Sequence, residues 1–259
     1  MIRAMANSMA ACNAQQIKLD TVAGNLANVN IQAYKKSKVI FTSLVYQQMV
    51  KEQNPVLPDK VPNLFDGTGV KVAVVDKVFT TGPLKETGHL LDLAIEGPGF
   101  FGVALPDGNV AYTRAGNLHL DKEGDLVTDS GYIVAPGIKL PENYRQVIIN
   151  ENGKVAFSDA TGVLHEAGQL ELYDFTAPSA LLKIEDNLYL YIPAAGEIKS
   201  GKPGETGLGN LKQGFYEGAN VDLIEEMTLL IEALRAYQLN TQAIRTSNEM
   251  WGLANNLRK

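Results

Sequence analysis

The chain is poor in residues that carry chemistry or crosslinks. Of 259 residues one is cysteine, one is tryptophan and three are histidine. Cys12 alone closes no intramolecular disulfide and supplies no thiolate ligand set, so the fold has to be held by burial. It reads most simply as a small apolar filler. Basic charge is short as well: 23 Lys plus Arg stand against 29 Asp plus Glu, a formal net charge of −6. That is the wrong sign for a surface whose affinity comes from neutralising phosphates, which sets nucleic acid aside as a partner. No run approaches the ~20 apolar residues of a membrane-spanning helix, and no membrane insertion is expected. Residues 1–12 carry one arginine and end Met-Ala-Ala-Cys, like a lipoprotein leader. Asn7 and Ser8 break the apolar stretch of ~7–15 residues that such a leader needs. If the protein leaves the cytoplasm, it is expected to do so without a cleaved signal.

What is present is a change of period along the chain. Ile2, Met5, Met9, Cys12, Gln16, Leu19, Ala23 and Leu26 follow alternating spacings of three and four, which predicts a helix over residues 1–29 with one sticky seam. Asn28 and Asn30 suit a helix end or turn. Near the other terminus Met227, Leu230, Leu234, Tyr237, Thr241, Ile244, Asn248 and Trp251 repeat the spacing, and Asp222, Glu225 and Glu226 favour a helix start. A helix over residues 222–256 would run about 50 Å at ~1.5 Å per residue, longer than a compact core of this size needs. Periodicity alone leaves open whether the two seams lie on the chain's own core or on something else. Their position at the extreme ends lets them pair with each other and still leave edges for neighbouring subunits.

Between the helices the period falls to two, at Val70, Val72 and Val74, at Leu91, Leu93 and Ile95, at Leu118 and Leu120, at Leu170 and Leu172, and at Leu188, Leu190 and Ile192. Asp107-Gly108 and Asn152-Gly153 are hairpin signals, and Asp121-Lys122-Glu123-Gly124 is a turn. Gln47 to Gly69 and Pro193 to Gly218 show neither period and read as connectors. The expected fold is therefore α+β: terminal α-helices paired as a coiled-coil-like base, with a central all-β hairpin-rich domain. Its divisions are 1–45 (helix and turn), 46–80 (connector with an extended segment), 81–195 (β domain), 196–220 (Gly/Pro-rich return connector) and 221–259 (helix).

No motif survives as a site of chemistry. Gly97-Pro98-Gly99-Phe100-Phe101-Gly102 fits G-x-G-x-x-G, but a strand and a hairpin follow it, not the helix whose free N–H groups would hold a pyrophosphate. Close backbone approach at the glycines and core anchoring by the phenylalanines explain it better. Asp121, Glu123, Asp125 and Asp129 mimic the start of a calcium loop. Leu126 stands where the turn requires glycine and Tyr132 where a bidentate carboxylate belongs, so solvated carboxylates around a hairpin are expected. His89, His119 and His165 have no ligand spacing. No catalytic residue, cofactor site or metal site is expected, and the protein is not expected to be an enzyme.

The segment from Asp20 through Gly24-Asn25-Leu26-Ala27-Asn28 to Asn30, followed by Tyr34-Lys35-Lys36 and Phe41, resembles the amino-terminal signature of bacterial flagellar basal-body rod and hook proteins. Gln213-Gly214-Phe215-Tyr216-Glu217-Gly218-Ala219-Asn220-Val221-Asp222, running on to Arg235-Ala236-Tyr237, resembles their terminal signature. Gly82-Pro83-Leu84, Leu91 to Phe101, Tyr112 to Leu118 and Asp186 to Tyr189 agree with the family's centre. The length and Gly67-Thr68-Gly69-Val70 point to the distal rod rather than the much longer hook. The family pattern has glycine where Ala33 stands; glycine permits a positive φ that alanine resists, so a different turn is expected there.

The resemblance implies a structural subunit of the distal rod, self-assembling into a helical drive shaft that carries torque from motor to hook. It implies export by the flagellar type III apparatus without cleavage and residence in the basal body, in the periplasm. Implied partners are copies of itself, other rod subunits, the hook protein and the surrounding ring proteins. The assembly interface would comprise Ile2, Met5, Met9, Cys12, Leu19, Leu26, Met227, Leu230, Leu234, Tyr237, Ile244 and Trp251 of the seams, with Asn25 and Asn28 of the signature. Open alternatives are a proximal rod or hook-like subunit and, from another class, an oligomeric β module binding a ligand through loops such as 142–146 or 195–209. An enzyme assembled only in three dimensions comes third.

Overall fold

The computed structural model describes residues 2–44, 46–48, 65–67, 69–141, 144–159, 162–184, 187–205 and 207–256. The chain divides into two compact units. The helical unit holds Met1–Ala27, Ser37–Asp76 and Asp222–Lys259, and the β unit holds Asn28–Lys36 and Lys77–Val221. The fold is α+β, with a helix at each end of the chain and strands between.

In the helical unit α1 spans Ile2–Ala27 and α2 spans Leu223–Asn256. Asp222 starts α2: its Oδ1 accepts the free N–H groups of Ile224 at 2.8 Å and Glu225 at 3.2 Å. Glu225 and Glu226 in the first turn add negative charge where the helix dipole favours it. The unit also contains a two-stranded ribbon of Ser37–Ser43 and Val70–Lys77, which begins the extended segment read at Val70. Tyr46–Gln48 pairs with Phe65–Gly67. The rest of the Gln47 to Gly69 connector, residues 49–64 and 68, lies outside the described residues.

The β unit is built around a nine-stranded sheet. Its main path runs Leu182–Lys183, Leu188–Leu190, Val110–Thr113, Phe100–Ala104, Ile133–Val134, Leu126–Thr128 and Leu118–Leu120, each antiparallel to the next. Leu172–Phe175 joins Phe100–Ala104 to Ile198–Gly201. A separate antiparallel meander comprises Gln146–Ile149, Lys154–Ser158 and Leu164–Gln169. The turns fall where Asp107-Gly108, Asn152-Gly153 and Asp121–Gly124 put them, with Gly108, Gly124 and Gly153 at φ near +80°.

Three expectations change. Pro193 to Gly218 is more than a connector: it carries the strands Ile198–Gly201, Asn210–Gln213 and Phe215–Glu217. The last two pair with Leu93–Glu96 and Leu84–Glu86. Strands of three or four residues are too short to display an alternation among so many glycines. Asp125 is buried and paired with Lys139 at 3.3 Å rather than solvated. Ala33 keeps the left-handed backbone, φ +53°, and is buried with its N–H on the Glu217 carbonyl at 2.8 Å. Alanine thus accepts here the positive φ that it ordinarily resists.

Two apolar clusters fill the β unit. Leu93, Ile95, Phe101, Val103, Leu118, Leu126, Leu170 and Leu172 belong to the larger. The second is aromatic, with Phe100, Tyr112, Phe175 and Tyr189 meeting edge to face, Tyr112 and Phe175 at 4.8 Å between ring centres. Phe100 and Phe101 of the glycine-rich motif therefore anchor one cluster each.

A buried charge cluster ties the turn after α1 into this unit. Lys35 and Glu217 are wholly buried, and Lys35 Nζ donates to Glu217 Oε1 at 2.6 Å and to the Thr80 carbonyl at 2.7 Å. The Gly82 N–H donates to the same Oε1 at 2.7 Å. Arg114 Nε lies 3.6 Å from Glu217 Oε2 and donates to the Gly99 carbonyl at 2.9 Å, while its second nitrogen donates to the Gly97 carbonyl. Gly97 and Gly99 adopt φ of +121° and +134°, which turns both carbonyls onto the guanidinium. The G-x-G-x-x-G loop is an arginine holder.

Burial lowers Lys35 from 10.5 to about 8, against the attraction of Glu217 and with the repulsion of Arg114. Between those values the unfolded chain keeps a proton that the folded chain has released. This contribution to stability therefore rises with pH through the window and is lost as pH falls through about 8. Denaturant unfolding of the native chain and of Lys35→Met should show the stability gap between them widening from pH 8 to pH 10.5. A gap that narrows over that range contradicts the assignment.

Candidate assembly interface

The helices run antiparallel. Asn25, near the end of α1, donates from Nδ2 to Glu226 Oε2 at the start of α2 at 3.1 Å, and Cys12 Sγ lies 3.8 Å from Thr241 Oγ1 farther along. Asn25 also grips the ribbon: its Oδ1 accepts the Ser37 N–H at 2.8 Å and its Nδ2 donates to the Ser37 carbonyl at 2.9 Å. One buried side chain thus joins α1, the ribbon and the first turn of α2.

Among the described residues, those buried on the two helices are Ala14, Val22 and Asn25 on α1 and Glu226, Ala233 and Ser247 on α2, most of them small or polar. Side chains of this size let helix axes approach closely but bury little apolar area. The large apolar side chains lie elsewhere. Ile224 is 77% exposed, Leu239 67%, Met9 57% and Met227 50%, and Ile231, Leu234, Met250, Trp251 and Leu253 are exposed as well. Ile224, Met227, Ile231 and Leu234 recur at spacings of three and four and form an exposed apolar stripe on α2.

The seam residues divide accordingly. Met9, Met227, Leu234, Tyr237 and Trp251 are exposed; Met5, Cys12, Leu19, Leu26, Leu230 and Ile244 are half-buried. The side chain of Ile2 lies outside the described residues. Asn25 works inside the chain. Asn28 lies past the end of α1, its carbonyl accepting the Ile31 N–H at 3.0 Å. Six exposed apolar residues of α2 were not in the seam, Leu223, Ile224, Ile231, Leu239, Met250 and Leu253, among them Ile224 and Ile231, seven apart, and Leu239 and Leu253, fourteen apart. Seven-residue spacing was the signal, hidden because the three-four seam beside it is stronger.

His89 and His119 line one pocket with Asp92 and Tyr144, and His165 is not among its lining residues. His119 pairs with Asp129 at 2.6 Å and His165 with Asp159 at 3.3 Å, on different strand connections.

Three family descriptions match the chain. Flagella basal body rod protein matches residues 5–35, Flagellar hook protein FlgE/F/G D1 domain matches 94–157, and Flagellar basal body rod FlgEFG protein C-terminal matches 212–257. The first takes in most of α1 and the turn after it, the last all of α2. The flagellar basal-body rod protein FlgG of Borreliella burgdorferi is 40% identical over 264 residues, covering 100% of both chains. FlgG of Buchnera aphidicola subsp. Schizaphis graminum is 39% identical over 96% of this chain and 97% of its own. The flagellar hook-basal body complex protein FlhP of Bacillus subtilis is 30% identical over 100% of both.

Asn25→Ala removes a buried side chain together with its hydrogen bonds to the Ser37 N–H and carbonyl and to the Glu226 carboxylate. Loss of stability by ~2–3 kcal/mol in denaturant unfolding is expected. A change below ~0.5 kcal/mol would show that Asn25 does not join the three elements.

Proposed function

The chain belongs to the flagellar basal-body rod protein family and is a structural subunit of the distal rod, and from that premise we propose how it builds the shaft. Copies bury on one another the apolar faces that α1 and α2 leave bare. The observation that supports this is the exposure of Ile224, Met227, Ile231, Leu234 and Leu239 on one helix whose own chain buries only small and polar residues of it. Large apolar side chains contribute ~1.5–3 kcal/mol each when fully buried, so a face of this size drives association.

Heterologous contacts that do not close a ring generate an open helical filament, the form a shaft requires. The interface comprises the exposed seam residues Met9, Met227, Leu234, Tyr237 and Trp251 together with Ile224, Ile231, Leu239 and Leu253. The half-buried seam residues Met5, Cys12, Leu19, Leu26, Leu230 and Ile244 complete a coiled-coil-like base in the filament. The protein acts mechanically, without catalysis. It passes through the flagellar type III apparatus uncleaved and takes its place in the periplasm. There it joins other rod subunits below and the hook above, inside the rings.

Leu234→Asp places a charge in that face at a position already exposed in the single chain. Sedimentation and negative-stain microscopy should find the variant monomeric at concentrations where the native chain forms filaments, with an unchanged β-unit melting transition. Normal filaments from Leu234→Asp would remove α2 from the contact.

A further inference from the structure

Among the described residues, the main path of the nine-stranded sheet ends beside a pair of ammonium groups on one side and a pair of exposed carboxylates on the other. At one edge lies Leu182–Lys183 and at the other Leu118–Leu120, which the Asp121–Gly124 turn links to Leu126–Thr128. At the first edge two ammonium groups face one aromatic ring: Lys77 Nζ is 4.7 Å and Lys183 Nζ 5.9 Å from the centre of the Tyr34 ring. Lys77 Nζ also donates to the Lys35 carbonyl at 2.9 Å. Neither ammonium has a carboxylate partner among the described residues. Asp121 and Glu123 at the far edge are exposed and likewise have no ion-pair partner among the described residues; Asp121 Oδ1 accepts the Lys122 N–H at 2.6 Å.

A lysine on an edge strand deters stray strand pairing by itself. That role explains Lys183 and leaves Lys77 unexplained. Holding a second cation beside the same ring is unfavourable, because burial and the charge of Lys183 both push Lys77 down, to about 8. An incoming carboxylate offsets the repulsion between the two ammonium groups by direct attraction. The chain carries an excess of carboxylates, and in a filament of identical copies the complement of any heterologous surface lies on the same chain.

We propose that the two edges meet between successive copies in the rod, the Lys77–Tyr34–Lys183 cleft of one copy receiving the Asp121 and Glu123 carboxylates of the next. The inference rests on the rod reading above and adds to it an electrostatic contact, which sets the register that a greasy helix face leaves loose.

Charge reversal and charge exchange in the full chain test it. Lys183→Glu alone and Glu123→Lys alone should each raise the critical concentration for filament formation about tenfold at low salt, and less at high salt. The double variant should return to within about threefold of the native value. Both sites are exposed, so the monomers should melt as the native chain does, and Lys202→Glu, an exposed reversal elsewhere, should leave the critical concentration unchanged. Single reversals that polymerise like the native chain, or a double variant as impaired as both singles combined, would overturn the contact while leaving the rod reading intact. A native chain that stays monomeric at every concentration would overturn both.

Discussion

The constraint on which the structure depends is a mismatch between the length of the terminal helices and what one chain can bury with them. α1 and α2 run 26 and 34 residues, yet among the described residues they bury fully only Ala14, Val22, Asn25, Glu226, Ala233 and Ser247, with Asn25 bonded to Glu226 across the pair. Small side chains fix the pairing geometry but leave the driving force outside. Several large apolar residues of α2 remain exposed, and water is a poor neighbour for Ile224 or Leu239. On the assembly proposed above, neighbouring copies cover these side chains.

The β unit solves the opposite problem. It is self-sufficient, with two apolar clusters and a buried ion cluster that fastens the turn after α1 to strands far along the chain. Lys35 and Glu217 are 182 residues apart in sequence, and Arg114 sits between them on the carbonyls of Gly97 and Gly99. Such a cluster is costly to bury and gains little over an apolar core in net stability. What it adds is directional: within the β unit it fixes the segment around Lys35 against Thr80, Gly82 and Glu217. Asn220, two residues before Asp222, extends the same arrangement by accepting the Lys36 N–H at 2.7 Å and donating to the Val78 carbonyl at 2.7 Å.

Much of this was legible from the sequence where local rules apply. Three-four spacing marked both helices, Asp222 marked the start of α2, and Asp107-Gly108 and Asn152-Gly153 marked hairpins because their glycines adopt the positive φ that those turns require. The buried face of the helix pair was not legible, since hydrophobic periodicity reports the stickiest stripe, and the pair closes on its smallest one. The strands between Ile198 and Glu217 were hidden by their brevity. The Lys35–Glu217–Arg114 cluster left no local trace: Tyr34-Lys35-Lys36 and Glu217 belonged to recognisable signatures, but nothing in either segment says that the two meet. The assembly face was half legible, through Met227, Leu234 and Trp251, and half missed, through Ile224 and Leu239.

The central claim is that the helix faces are satisfied only on assembly, and amide hydrogen exchange read residue by residue in monomer and filament tests it most directly. The account predicts that in a verified monomer the amides of 2–27 and 223–256 exchange orders of magnitude faster than those of Leu93–Glu96 and Phe100–Ala104, and that both helices become protected in the filament. Slow exchange along both helices in the monomer, unchanged by polymerisation, would contradict it.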